Sequence, residues 1–155
     1  MSTHETTSLA AFANRLPKCL DEIFTSNRDK AKLALATEEQ IKAFAKIIPN
    51  SDHVTGAISD WRIVAYTVTI PGHEGLVHLH PLGNDDTAGI GCKISSPIVG
   101  IDLGTRLVVT HSGSLYRLVG PQGEGEPTFH QLLHLCAAQW QWGRGKLFGV
   151  FHVFY

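Results

Sequence analysis

The chain has 155 residues, of which 43% are hydrophobic and 17% are charged, and its formal net charge is −1. This length suits a single domain with a sizeable core. The composition excludes a disordered chain, which would combine high charge with few apolar residues. A near-neutral charge argues against nucleic acid as the partner, because phosphate contacts need clustered cations.

Residues 8–48 are predicted to be helical, because apolar residues recur there at nearly helical spacing. Pro17 would interrupt the first helix, and residues 29–36 continue with residues that favour helices. Thr37 and Gln40 then form a capping-box pattern, which predicts the start of a further helix.

Residues 61–119 are predicted to form an antiparallel meander, since segments rich in β-branched and aromatic residues alternate there with turn residues. Residues 81–86, Pro-Leu-Gly-Asn-Asp-Asp, are predicted to be one of the turns. A second capping box, formed by Thr128 and Gln131, predicts a helix over residues 128–142.

The last segment, residues 147–155, is apolar on both faces and predicts a covered strand in which Phe151 is buried. The same strand could instead form the edge of a homodimer. We therefore expect a single α+β domain over residues 8–155, preceded by a disordered tail at residues 1–7. In this domain N-terminal helices pack on an antiparallel sheet, joined by one further helix and a C-terminal strand.

The cellular compartment is inferred from the cysteines and from the apolar runs. Three cysteines lie far apart and form neither a disulfide framework nor a zinc-knuckle pattern, which favours a reducing environment. The first eight residues are polar, and no run reaches the roughly 20 apolar residues of a membrane helix. We expect a cytoplasmic protein that does not enter a membrane.

The chain is rich in histidine, and three of its nine histidines could bind a metal. His78 and His80 are two residues apart in a predicted strand, so both would point to one face, and His73 precedes them. Adjacent imidazoles can bind zinc, although a catalytic site needs a third ligand and an open position. The alternative is an ordinary solvated face of a sheet.

A second histidine pair, His130 and His134, lies four residues apart in the predicted helix, as in H-E-x-x-H zinc proteases. Gln131 stands where those proteases have their glutamate, and an amide cannot act as a general base. These histidines suit the polar edge of an amphipathic helix better.

Nucleophilic catalysis has little support in the sequence. The chain contains no G-x-S-x-G elbow and no phosphate-binding loop with its lysine. Ser112 and Ser114 flank Gly113 in a predicted hairpin, where serine is a common turn residue. The sequence therefore leans away from an enzyme.

The best candidate for a binding surface is the segment that contains Trp142, Arg144 and Lys146, at the end of the last predicted helix. Trp142 does not share the inward face of Trp140, and no acidic residue follows Glu126. Tryptophan beside arginine is typical of binding hot spots and could also stack on a nucleobase. The alternative is a helix end whose Trp142 folds back on the sheet.

Two functional hypotheses result from these patterns. The first is a small non-catalytic binding module, of the inhibitor, immunity or regulatory kind, which acts on another protein through the Trp142 segment and needs no cofactor. The second is a histidine-dependent metal-binding protein or metal-dependent hydrolase that uses zinc at the His73, His78 and His80 group.

Overall fold

A seven-stranded mixed sheet is the main feature of the computed structural model, which describes residues 16–24, 30–69, 76–85, 91–148 and 150. The strands are β1 (Ala31–Leu35), β2 (Gly56–Val68), β3 (Val77–Asp85), β4 (Cys92–Ile94), β5 (Ile98–Asp102), β6 (Leu107–Thr110) and β7 (Leu115–Val119). The helices of this part of the chain are a 3-10 helix (Leu20–Phe24), α1 (Glu38–Ala43) and α2 (Phe129–Gln141).

Two antiparallel groups make up most of the sheet, β2–β3–β4 and β5–β6–β7. They join where the first part of β2 pairs in parallel with β7, while β1 pairs with the second part of β2. β4 and β5 lie at opposite ends of the strand order but are separated in sequence by residues 95–97 alone. The linker can span about 14 Å, whereas β4 and β5 would be about 24 Å apart if the sheet were flat. The sheet must therefore curl, which brings its two edge strands, β4 and β5, close together.

β2 contributes to two hydrophobic cores because its side chains alternate between the faces of the sheet. Ile63 and Ala65 face the inside of the curled sheet. Val64 and Tyr66 face the other side, which is covered by α2 and the 3-10 helix. All of residues 61–66 are therefore buried, and β2 positions side chains on both faces.

The prediction that N-terminal helices pack on the sheet is wrong. In the described part of residues 8–48, α1 is six residues long and the 3-10 helix five. Residues 29–36, predicted to be helical, contain β1, in which buried Ala31 and Leu33 alternate with exposed neighbours. Pairing with β2 provides tertiary contacts that override the helix propensity of this short segment.

The prediction of a purely antiparallel meander is also wrong, since β2 and β7 run in parallel. Residues 81–85 of the predicted turn belong to β3 instead, which extends to Asp85. The backbone of Pro81 faces β4, where its carbonyl accepts a hydrogen bond from Ser95 N–H at 3.3 Å. In an antiparallel pair, the N–H that proline lacks would also have faced Ser95, which lies just beyond the end of β4. Pro81 therefore removes no hydrogen bond from the paired part of β4, and β3 continues through Pro81.

Both capping boxes are confirmed. Thr37 Oγ1 accepts from Gln40 N–H at 3.1 Å, and Thr128 Oγ1 accepts from Gln131 N–H at 3.2 Å. The helix predicted over residues 128–142 is confirmed as α2, Phe129–Gln141.

The two ends of the chain lie largely outside the described residues. The tail predicted at residues 1–7 and the predicted burial of Phe151 fall there, as does most of the strand predicted at residues 147–155. Leu147 and Phe148, which the structure describes, lie in a turn.

Candidate functional site

The segment after α2 folds back towards the sheet. Gly143 has a positive φ of 79°, which reverses the chain. The N–H groups of Arg144 and Gly145 then donate to the carbonyl of Gln139, at 2.9 and 3.0 Å. A side chain at position 145 would collide with the Trp140 ring, so only glycine allows this close approach.

Under this segment the sheet presents polar and aromatic side chains. Tyr66 on β2 lies opposite His78 on β3, and the two rings meet edge to face with centroids 6.0 Å apart. His80 is two residues further along β3, so it shares the face of His78. Aliphatic packing from α2 covers the neighbouring part of this face, at Val64 and Leu82.

Trp142 and Arg144 contact these sheet residues directly. The Trp142 ring stacks on the ring of His80, with centroids 4.7 Å apart and 18° between the planes. The Arg144 guanidinium carbon lies 4.0 Å from the centroid of Tyr66 and 4.9 Å from that of Trp142. Two features that the sequence offered as rival sites thus form one group, the Arg144 cluster: Tyr66, His78, His80, Trp142 and Arg144.

His80 is held as a neutral imidazole within the Arg144 cluster. Its side chain is 1% exposed, and its Nδ1 lies 2.9 Å from the carbonyl oxygen of Ser95. A carbonyl only accepts, so Nδ1 carries the proton and Nε2 can accept from Arg144 Nη2 at 3.4 Å. Burial lowers the pKa of His80 to about 4, with Arg144 and His78 acting in the same direction against the bond to Ser95.

Arg144 is a cation without a counter-ion in the part of the chain that the structure describes. Its Nη1 is buried and has no hydrogen-bond partner. The ion pair between Arg62 and Asp60 does not include Arg144. Burial lowers the pKa of Arg144, but a guanidinium in a protein stays protonated. Arg144 and Trp142 are both partly exposed, so a ligand can reach the cluster from solvent.

Lys146, the third residue of the predicted binding surface, is exposed and stands apart. The chain from Arg144 to Phe148 is a turn closed by Phe148 N–H donating to the Arg144 carbonyl at 3.0 Å. In such a helical turn, residues two positions apart point in different directions. The side chains of Lys146 and Arg144 therefore do not lie on the same side of the segment, contrary to the predicted binding surface.

The proposed metal ligands are placed differently from one another. His73 lies outside the described residues, while both ring nitrogens of His80 have partners, so a metal there would have to displace Ser95 or Arg144. Among the described residues there is no group of three or more His, Cys, Asp or Glu that could hold a metal ion. Burial lowers the pKa of His78 and that of His134.

A cleft of about 500 Å³ adjoins the Arg144 cluster and shares Trp142 with it. It lies between β4, the turn from β6 to β7, and α2. Sequence reasoning treated Ser112 and Ser114 as turn residues only and did not single out Tyr66 or Lys93. The cleft is lined by Lys93, Ile94, Ser95, Ser96, Ser112, Ser114, Tyr116, His134, Ala137, Ala138, Gln141 and Trp142.

Comparisons of this chain with protein-family models, with curated proteins and with solved structures find no match. Of the helices that the structure describes, none is both long enough and apolar enough to span a membrane.

Proposed function

We propose that this protein is a small non-catalytic binding module that docks on an acidic segment of another protein through the Arg144 cluster. One observation carries the proposal. The Arg144 guanidinium lies between Tyr66 and Trp142, yet its Nη1 has no partner and no carboxylate of the described residues pairs with it.

The physical argument concerns the cost of burying this charge. A buried cation without a counter-ion is unfavourable, and stacking on each aromatic ring offsets only about 0.5–2 kcal/mol. A carboxylate from a partner that approaches the exposed part of Arg144 would supply the missing charge and accept a charge-assisted hydrogen bond there. Because the two rings already fix the guanidinium, little side-chain freedom remains to be lost on binding.

The same cluster offers little for acid–base chemistry. A general base works best with a pKa near the operating pH. Both ring nitrogens of His80 are engaged and its pKa is lowered to about 4 by burial, while burial raises the pKa of Tyr66. These shifts support a role in binding rather than in proton transfer.

The proposal can be tested with a short peptide rich in glutamate and aspartate, titrated into the protein by calorimetry. Arg144→Gln should weaken binding about tenfold or more, the usual value of a hydrogen bond to a charged group. Lys146→Gln removes the same charge from an exposed position and should change affinity less than about twofold.

Circular dichroism melting curves would first establish that both variants are folded. Equal losses in the two variants would reveal a diffuse charge effect and contradict the proposal, as would unchanged binding by Arg144→Gln. A single-stranded oligonucleotide of equal charge is the comparison probe, and tighter binding of it than of the peptide would reassign the surface to nucleic acid.

A further inference from the structure

The cleft beside Trp142 has the lining of an anion site. Its lining residues include Lys93 and His134 but no aspartate or glutamate. Lys93 Nζ lies 5.7 Å from the centroid of the Tyr116 ring, and the described residues provide no carboxylate that pairs with it. At about 500 Å³, the cleft is in the size range of small-ligand sites.

Three serine hydroxyls that line the cleft belong to a connected network, which the buried Thr110 completes. Ser112 Oγ lies 3.0 Å from Ser96 Oγ, 3.1 Å from Thr110 Oγ1 and 3.4 Å from Ser114 Oγ. These four hydroxyls carry four hydrogens, while their three mutual contacts use three of them. At least one O–H therefore remains to donate to an acceptor outside the network.

We propose that this cleft binds a phosphate monoester, and that the acidic segment recognised by the protein carries it as a phosphorylated side chain. The inference rests on the proposed function and specifies its partner. A phosphate monoester has close to two negative charges and three strong acceptor oxygens. Lys93 supplies positive charge and the serine network supplies donors, as such a group requires.

The position of Trp142 connects the two sites. One part of the residue borders the cleft, and its ring also stacks on His80 and lies near Arg144. We therefore expect one bound segment to place its phosphate beside Lys93 and a carboxylate beside Arg144. Arginine is a usual means of recognising phosphorylated and acidic motifs, and lysine binds phosphate as a point charge.

The experiment uses three acidic peptides that differ at one position, which is phosphoserine, glutamate or serine. The full chain should bind the phosphoserine peptide at least tenfold more tightly than the serine peptide. Lys93→Gln should reduce that ratio to within about threefold, and Ser112→Ala should reduce it partly. Millimolar inorganic phosphate should compete with the phosphoserine peptide and leave the glutamate peptide bound.

Different results overturn the two proposals. A ratio below twofold in the parent, or a ratio unaffected by Lys93→Gln, overturns the phosphate site even if Arg144→Gln weakens all three peptides. If no peptide binds, the proposed function fails. In that case, amide NMR shifts at Ser112 and Ser114 with inorganic phosphate, abolished by Lys93→Gln, would still support the cleft site, and their absence would overturn it.

Discussion

Two arginines, Arg62 and Arg144, bring positive charge into the protein in contrasting ways. Arg62 is 4% exposed and pairs with the Asp60 carboxylate at 3.1 Å. Its guanidinium also donates to four further oxygens, those of the Asp60 carbonyl (3.2 Å), the Gly125 carbonyl (3.0 Å), the Glu124 carbonyl (2.8 Å) and Gln131 Oε1 (3.1 Å). Arg144 stacks on aromatic rings instead and leaves Nη1 unpaired. The charge of Arg62 is thus neutralised within the chain, whereas that of Arg144 has no counter-ion among the described residues.

The surroundings of Arg62 show that its role is structural. Asp60 has a positive φ of 46°, an uncommon conformation outside glycine, at an irregularity in the pairing of β2 with β3. A Cβ at position 123 would lie 2.5 Å from Arg62 Nη1, so a residue larger than glycine would displace the guanidinium from its hydrogen bonds. Arg62 thus fixes this loop against β2 and, through Gln131, against the start of α2.

The largest expected effect is that of removing Arg62. Arg62→Met should lower the free energy of unfolding by roughly 3 kcal/mol, because it removes several hydrogen bonds of a buried guanidinium together with its ion pair to the partly exposed Asp60. Urea unfolding followed by circular dichroism measures the change. A loss below about 1 kcal/mol would show that the network around Arg62 is dispensable.

Acid should destabilise the Arg144 cluster through His80. The folded-state pKa of His80 is about 4, lowered mainly by burial, whereas an imidazole in the unfolded chain titrates near 6.5. As the pH falls from about 6.5 to 4, the unfolded chain takes up a proton that the folded protein does not. Stability present above pH 6.5 is therefore lost, by about 3 kcal/mol in all.

His80→Asn isolates this contribution, since its side-chain amide can still donate to Ser95. Urea unfolding at pH 7 and pH 4 gives the free energy of unfolding of both proteins. Between these two pH values, that of the parent should fall by about 3 kcal/mol more than that of the variant. A difference between parent and variant that does not change with pH would mean that His80 is not buried as a neutral ring.

The smallest expected effect on stability is that of Arg144. Arg144→Met keeps an unbranched chain between Tyr66 and Trp142 and removes a buried, unpaired Nη1. The lost cation–π contacts and the lost long hydrogen bond to His80 Nε2 oppose the relieved desolvation, so the free energy of unfolding should change by only about 1 kcal/mol. If Arg144→Met destabilises as much as Arg62→Met, the contrast between the two arginines fails.

The sequence predicted correctly those elements that depend only on residues close together in the chain. The capping boxes at Thr37 and Thr128 were predictable because each is formed by two residues only three positions apart. β1 was not, because its alanine and leucine residues favour a helix until β2 pairs with them. The parallel contact between β2 and β7 also joins segments about sixty residues apart, which no local pattern encodes.

The candidate site was predictable only in part for the same reason. Composition drew attention to Trp142 and Arg144, and strand spacing to His78 and His80. Their meeting depends on how the chain turns at Gly143 and how β3 lies under it. Tyr66 carried no signal beyond that of an ordinary strand residue.

Side-chain NMR of the arginine Nε–H groups tests the central claim most directly, with both arginines observed in one spectrum. Arg62 Nε donates to the Gly125 carbonyl and is the internal control for Arg144. On titration with the acidic peptide, the Arg144 resonance should shift and its hydrogen exchange should slow, while the Arg62 resonance stays unchanged. A peptide that binds while the Arg144 resonance stays fixed, or that shifts Arg62 instead, would contradict the account.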